Sequence, residues 1–222
     1  MNSFLNRAAA GRELATHLRQ YRNRHDVVVL GLPRGGVPVA YEVAKYLKAP
    51  LDVVIVRKLG APNQPEYALG AIASGGVVVT NEGALHWADD PTLDATIAAE
   101  RDELARRELA YRPGQPILAI RSRIAILVDD GAATGTSMLA AIQAVRELGA
   151  GKIVIALPVA SIDARDLLRE AADEVVCLNT PASFMSVGSW YANFDQTTDK
   201  EVIGLLRNSG QGPEELSASH AG

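Results

Sequence analysis

The sequence is poor in several things, and each shortage excludes a class of protein. It holds a single cysteine, Cys177, in 222 residues. One thiol closes no internal disulfide, so a disulfide-stapled scaffold of an oxidising compartment is not expected. Cys177 lies in the apolar run Glu174-Val-Val-Cys-Leu178 and reads as a buried strand residue, not a nucleophile. Cationic residues are not in excess: 22 Lys and Arg against 26 Asp and Glu leave a net charge of −4. That balance supplies no bulk attraction to nucleic acid or to an acidic membrane, although a local basic pocket is compatible with it. No apolar run approaches the roughly 20 residues of a membrane helix, and residues 1–10 lack the apolar core of a signal peptide. The histidines, His17, His25, His86 and His220, are scattered without metal-ligand spacing and receive no role. A cytoplasmic enzyme or binding protein with no nucleic-acid or membrane partner is the expectation.

What is present is an alternation of short β-branched apolar runs with helical patterns, the signature of βαβ units and a parallel sheet. Strands are expected at 27–30, 51–56, 124–128, 152–157 and 174–178, and helices at 4–21, 37–47, 92–111, 137–148, 163–172 and 199–207. Residues 57–66 are rich in Pro, Gly and Asn and read as a loop. Residues 69–73 and 77–80 flank Ser74-Gly-Gly76 and read as a β-hairpin. The fold class is therefore α/β, a parallel sheet of about five strands with flanking helices. The expected organisation is one domain over 1–208, with lid and hairpin at about 58–80 and a disordered tail over 209–222 rich in Gly, Ser and Glu.

One segment carries most of the chemistry: Ile126-Leu-Val-Asp-Asp-Gly-Ala-Ala-Thr-Gly-Thr-Ser137. An apolar strand delivers two acids, then a loop of small residues, then a helix. At the C-terminal edge of a parallel sheet this is where ligands bind. Gly131, Ala132, Ala133 and Gly135 add almost no bulk, so backbone N–H groups can approach a phosphate at the positive end of the helix dipole. Thr134, Thr136 and Ser137 add hydroxyl donors. Asp129 and Asp130 would repel a phosphate but suit the hydroxyls of a sugar, or a hydrated metal. Helix capping explains one acid, not two plus the loop. The segment is neither a P-loop nor a GxGxxG turn. A phosphate nest beside a diol-binding acid pair describes a site for ribose 5-phosphate.

Val128-Asp-Asp-Gly-Ala-Ala-Thr-Gly-Thr-Ser137 resembles the phosphoribosyl pyrophosphate (PRPP) signature of the type I phosphoribosyltransferases. The resemblance implies that Asp129 and Asp130 take the ribose, and that Ala132, Ala133, Thr134, Gly135, Thr136 and Ser137 take the 5-phosphate. Gly31-Leu-Pro-Arg-Gly-Gly-Val-Pro38 stands where that family places its pyrophosphate loop, which gives Arg34, Gly35 and Gly36 to the leaving group. Alone, such a turn is a weak signal and is more often merely structural. Val56-Arg-Lys58 looks like the Arg-Lys pair of the orotate and adenine members, which implies that Arg57 and Lys58 neutralise pyrophosphate. A solvated strand end is the other reading. Residues 59–76 fall where the family carries a flexible catalytic lid, and Glu66 is the carboxylate there, either an acid/base group or a plain surface residue.

The likeness is greatest to an uncharacterised subfamily of predicted phosphoribosyltransferases, at Leu32-Pro-Arg-Gly-Gly-Val-Pro38, Val56-Arg-Lys-Leu59, Gly70-Ala-Ile-Ala73 and Phe184-Met-Ser-Val-Gly-Ser-Trp-Tyr-Ala-Asn-Phe194. It covers the chain except the tail. Ala133 departs from the 6-oxopurine members, which carry an acid there, so hypoxanthine and guanine are disfavoured as acceptors. Trp190, Tyr191 and Phe194 are open to two readings, stacking on a flat acceptor or core and dimer contacts. The implied reaction is transfer of ribose 5-phosphate from PRPP to a nitrogenous acceptor, a nucleobase by the resemblance, with release of pyrophosphate. Mg²⁺ is the implied cofactor, held mainly by substrate oxygens, with Asp129 or Asp130 as its protein contact and no all-protein metal site. The alternatives are a PRPP-binding regulatory or sensor protein with little catalysis, and a hydrolase of phosphorylated sugars, for which no base is evident. The oligomeric state is open, and a homodimer often accompanies a lid and hairpin in the family.

Overall fold

A computed structural model describes residues 3–61, 64–80, 91–113 and 117–211. Among them five strands form a parallel sheet in the order β2-β1-β6-β7-β8: β1 (Val27–Gly31), β2 (Leu51–Val53), β6 (Ile124–Val128), β7 (Lys152–Val159) and β8 (Glu174–Asn179). The five-strand α/β architecture expected from the sequence is the one observed. All five residues of β1 and all five of β6 are buried, as continuous apolar runs covered on both faces require.

Strand alternation sorts these side chains into two cores. Val27 and Val29 of β1 and Ile124, Ile126 and Val128 of β6 join one cluster with α1 (Arg7–His17) and α2 (Gly36–Leu47). Val28, Leu30, Ala125 and Leu127 join the other with α4 (Thr136–Glu147) and α5 (Ile162–Ala171). From β1 the chain runs outward to β2, while β6 continues the other way to β7 and β8. The order therefore reverses between β1 and β6, and the loops leaving those two strands border one crevice.

The expected opening helix over 4–21 is shorter. Phe4 instead forms a parallel bridge to Tyr191, its amide donating to the Trp190 carbonyl at 2.8 Å. Asn6 caps α1 by accepting the Ala9 amide at 2.9 Å, and the helix gives way to a 3-10 turn over Arg19–Tyr21.

The largest correction concerns residues 51–66. The second strand ends at Val53, and the loop expected at 57–66 is mostly strand. β3 (Val56–Ala61), β4 (Gln64–Ala73) and β5 (Val77–Thr80) form a separate antiparallel sheet in the order β3-β4-β5. Leu59, Leu69 and Ile72 are fully buried, so apolar anchors outweigh the turn-like composition. The ladder shifts register on both sides of Gly60, where a glycine suits a bulge. Pro65 lies beyond the stretch of β4 that pairs with β5, which spares the ladder a missing donor. The expected hairpin is present: Gly75 and Gly76 have φ of 85° and 76°, as a tight hairpin turn demands. What the sequence suggested as a free lid is therefore rooted in sheet. Thr92 to Tyr111 falls within α3 (Pro91–Tyr111), which packs on this sheet, and α6 (Asp199–Leu206) follows the aromatic segment. A π turn over Arg207–Gln211 ends the described chain, and the expected tail lies almost wholly outside the described residues.

Candidate functional site

The register sets Gly31 of β1 beside Val128 of β6, so the turns after both strands begin side by side. The Leu32 amide donates to the Val128 carbonyl at 2.9 Å and ties the first turn to the second. Gly35 and Gly36 then pass directly over the acid pair. A Cβ on Gly35 would collide with Asp130 Oδ2, and one on Gly36 would stand 2.7 Å from the Val128 carbonyl oxygen and 2.8 Å from Asp129 Cα. Only glycine lets these two loops touch. Sequence reasoning placed both segments at strand ends, and the structure brings them into contact. The peptide bond between Pro33 and Arg34 is cis.

Both acids are partly buried. Burial, and next the charge of Asp130, hold the Asp129 carboxyl well above the usual carboxylate range. Burial raises Asp130 as well, opposed by the guanidinium of Arg7. Arg7 Nε donates to Asp130 Oδ2 at 2.7 Å, and the Asp130 amide donates to Asp129 Oδ1 at 2.8 Å. Two carboxyls this close titrate as a pair.

The loop after the acids is tied down at its start. Ala132 donates to the Val159 carbonyl at 3.0 Å and accepts from the Ser161 amide at 3.0 Å, while Ser161 Oγ donates to the Ala133 carbonyl at 2.7 Å. Ala133, Thr134, Thr136 and Ser137 are exposed, and the Thr134 and Thr136 hydroxyls lie 3.1 Å apart. Gly135, at φ 75°, leads into α4, whose N-terminus has no side-chain cap. An uncapped helix start behind a loop with exposed hydroxyls presents donors of the kind an anion accepts.

The expected cations separate. Arg57 and Lys58 are neighbours on β3, so their side chains leave opposite faces. Arg57 Nε donates to Glu100 of α3 at 2.6 Å, whereas Lys58 is exposed. The expectation of two cations acting together on one leaving group is thereby corrected: strand alternation divides them. Arg34 is partly exposed, and the side chains of Arg34 and Lys58 make no hydrogen bond or ion pair to a described residue. Glu66 falls on β4, and its side chain lies outside the described residues.

The aromatic segment packs as structure. Tyr191 is buried, its hydroxyl donates to the Asp130 carbonyl at 2.5 Å, and its ring stacks on Phe194 at 5.0 Å between centroids. Burial pushes the Tyr191 phenol far up. Phe194 also carries the Arg7 guanidinium 3.9 Å from its centroid. The core reading of Tyr191 is the correct one, and Trp190 is only half-buried. Arg7 and Ser161 escaped the sequence reading. A cation in a helix's first turn is the signal that could have exposed Arg7.

The family model for the phosphoribosyl transferase domain matches residues 2–196. The chain belongs to that family. As a phosphoribosyl transferase domain it is 50% identical over 208 residues to proteins of two Mycobacterium tuberculosis strains, provisionally named phosphoribosyl transferases. The match covers 93% of this chain and 47% of theirs, so the chain spans about half the length of these curated relatives. The solved structure of the TT1426 protein of Thermus thermophilus superposes on the domain with a TM-score of 0.83 at 46% identity, over 93% of this chain and 98% of that one. No described helix is long and apolar enough to cross a membrane.

Proposed function

We propose that this phosphoribosyltransferase domain transfers ribose 5-phosphate from PRPP to a nitrogenous acceptor of the nucleobase type, releasing pyrophosphate. The observation that carries the reading is the acid pair at the sheet's switch point, directly followed by the uncapped start of α4. Ala133, Thr134, Thr136 and Ser137, with the Gly135 backbone, bind the 5-phosphate, whereas Ala132, expected to join them, is buried with its amide already given to the Val159 carbonyl. Asp129 and Asp130 accept hydrogen bonds from the 2- and 3-hydroxyls. Arg34, with the Gly35 and Gly36 backbone, receives the departing pyrophosphate, and Lys58, whose side chain is exposed, adds a further charge on that reading. Glu66 remains a candidate for the acid/base step.

The bond from C1 to the pyrophosphate oxygen breaks as the bond from C1 to the acceptor nitrogen forms, and that nitrogen loses its proton. Charge of oxocarbenium character develops at C1, so catalysis comes from positioning and from stabilising the leaving group, with no covalent nucleophile. No cluster of three or more metal-ligating side chains occurs among the described residues. The site instead offers two adjacent carboxyls, which fits Mg²⁺ bound chiefly through substrate oxygens with Asp129 or Asp130 alongside. Bound there, Mg²⁺ would offset the charge of the pyrophosphate group.

A PRPP-sensing role with little turnover is the second reading. It is favoured by one observation: Arg57 is already taken by Glu100, which removes one expected leaving-group cation. Screening bases for PRPP-dependent pyrophosphate release separates the two. Release triggered by one base supports the transferase and names its acceptor, whereas PRPP binding with no release from any base supports the sensor.

A further inference from the structure

Arg7 occupies a poor place for a cation within its own helix. It is the first residue of α1, where the dipole disfavours positive charge by about 0.3–1 kcal/mol, and no acid accompanies it in that turn. Asn6 already caps the helix, so α1 gains nothing from Arg7. What holds the side chain lies elsewhere. Its Nε donates to Asp130 Oδ2 at 2.7 Å, and an Nη donates to the Asp195 carbonyl at 2.7 Å. Its guanidinium lies over Phe194, and its side chain is only 12% exposed. A planar fork fixed on several sides fixes the carboxylate it holds. Asp130 is gripped at its other end too, since its carbonyl accepts the Tyr191 hydroxyl and Tyr191 stacks on Phe194. The carboxylate and the backbone of one acid are thus braced by a single Arg7-Phe194-Tyr191 unit.

We infer that Arg7 is a positioning residue that sets sugar specificity: by aiming the Asp130 carboxylate it makes the site read the ribose 2- and 3-hydroxyls, and so favour ribose over 2-deoxyribose phosphates. The inference rests on the ribose role proposed above for Asp130. A site built to hydrogen-bond a hydroxyl rejects the analogue lacking it because its polar groups are left unpaired, and that penalty requires a carboxylate unable to swing away. Both Arg7 hydrogen bonds go to the acid and the C-terminal segment and not to the 5-phosphate loop, so the brace acts on the sugar more than on the phosphate.

The test is calorimetry of the whole chain with PRPP, ribose 5-phosphate and 2-deoxyribose 5-phosphate, for wild type, Arg7→Met, Arg7→Lys and Phe194→Leu. Wild type is expected to prefer ribose 5-phosphate by about 10-fold or more. Arg7→Met brings the ratio towards one by weakening ribose 5-phosphate more than 2-deoxyribose 5-phosphate, Arg7→Lys restores part of the preference, and Phe194→Leu erodes it. An unchanged ratio in Arg7→Met overturns the inference and leaves the ribose site standing. Equal weakening of both sugars in every variant also overturns it, since that marks a merely structural residue. Failure of wild type to bind PRPP or either sugar overturns the parent reading itself.

Discussion

The two sheets of this protein solve different problems. The parallel sheet buries every residue of its two central strands and ends them in loops that touch, Gly35 and Gly36 against Asp129 and Asp130. The antiparallel sheet buries Leu59, Leu69 and Ile72 but directs its neighbouring cations apart, Arg57 to Glu100 and Lys58 to solvent. One sheet sets its loop residues against one another, and the other presents its cations singly. The lesson is that chemistry needing two groups at a fixed separation belongs at the parallel sheet's edge, where strand register supplies the separation.

The largest expected effect breaks the parallel-sheet site outright. Asp129→Asn with Asp130→Asn removes two charged acceptors, each worth about 1.5–3 kcal/mol when bonded, so PRPP affinity should fall roughly 100-fold or more. The melting temperature should fall as well, because Asp130→Asn leaves the largely buried Arg7 guanidinium without its carboxylate, but the chain should stay folded since neither acid belongs to the apolar core. Substitutions at the two glycines should part company. Gly36→Ala drives a methyl into the Val128 carbonyl and the Asp129 backbone and should cost about 1–3 kcal/mol of stability in denaturant melts. Gly35→Ala meets the Asp130 carboxylate, a side chain that can turn, and should weaken PRPP binding more than it weakens the fold.

A smaller effect has the opposite sign. Carboxyls raised in the folded state bind protons more tightly there than when unfolded, so their contribution to stability is present at low pH and is lost as pH rises through the raised values. Asp129→Asn should therefore be more stable than wild type at pH 7, by on the order of 1 kcal/mol, with a flatter dependence of melting temperature on pH. Equal slopes in the two proteins would contradict the burial of that charge. The smallest effects lie on the antiparallel sheet. Arg57→Ala should lose up to about 1 kcal/mol with its half-exposed ion pair, whereas Lys58→Ala should change stability by less than about 0.5 kcal/mol and weaken pyrophosphate binding instead.

The same contrast explains what the sequence disclosed. Continuous β-branched runs such as Val27-Val-Val-Leu30 and Ile124-Ala-Ile-Leu-Val128 mark buried strands, so the parallel sheet was legible, and the two acids with small residues after them marked the loop that stands at its edge. The stretch from Arg57 to Glu66 was not. Its Pro, Gly and Asn speak for a loop, while the buried Leu59 that makes it a strand is one residue among them. The split of Arg57 from Lys58 follows only once that strand is known. Arg7 was hidden for another reason: it lies 123 residues from Asp130, and the packing of α1 on α2, with the bridge from Phe4 to Tyr191, brings the two together. Tyr191 could be singled out as an aromatic, but its partner was a backbone carbonyl, which no side-chain motif announces.

The central claim is that the loop from Asp129 to Ser137 is a PRPP site. Titrating PRPP with Mg²⁺ into the protein and into its Asp129→Asn, Asp130→Asn variant tests it most directly. The account predicts saturable binding to the first and roughly 100-fold weaker binding, or weaker still, to a folded second. Equal affinity in the two, or no binding to either, would contradict it.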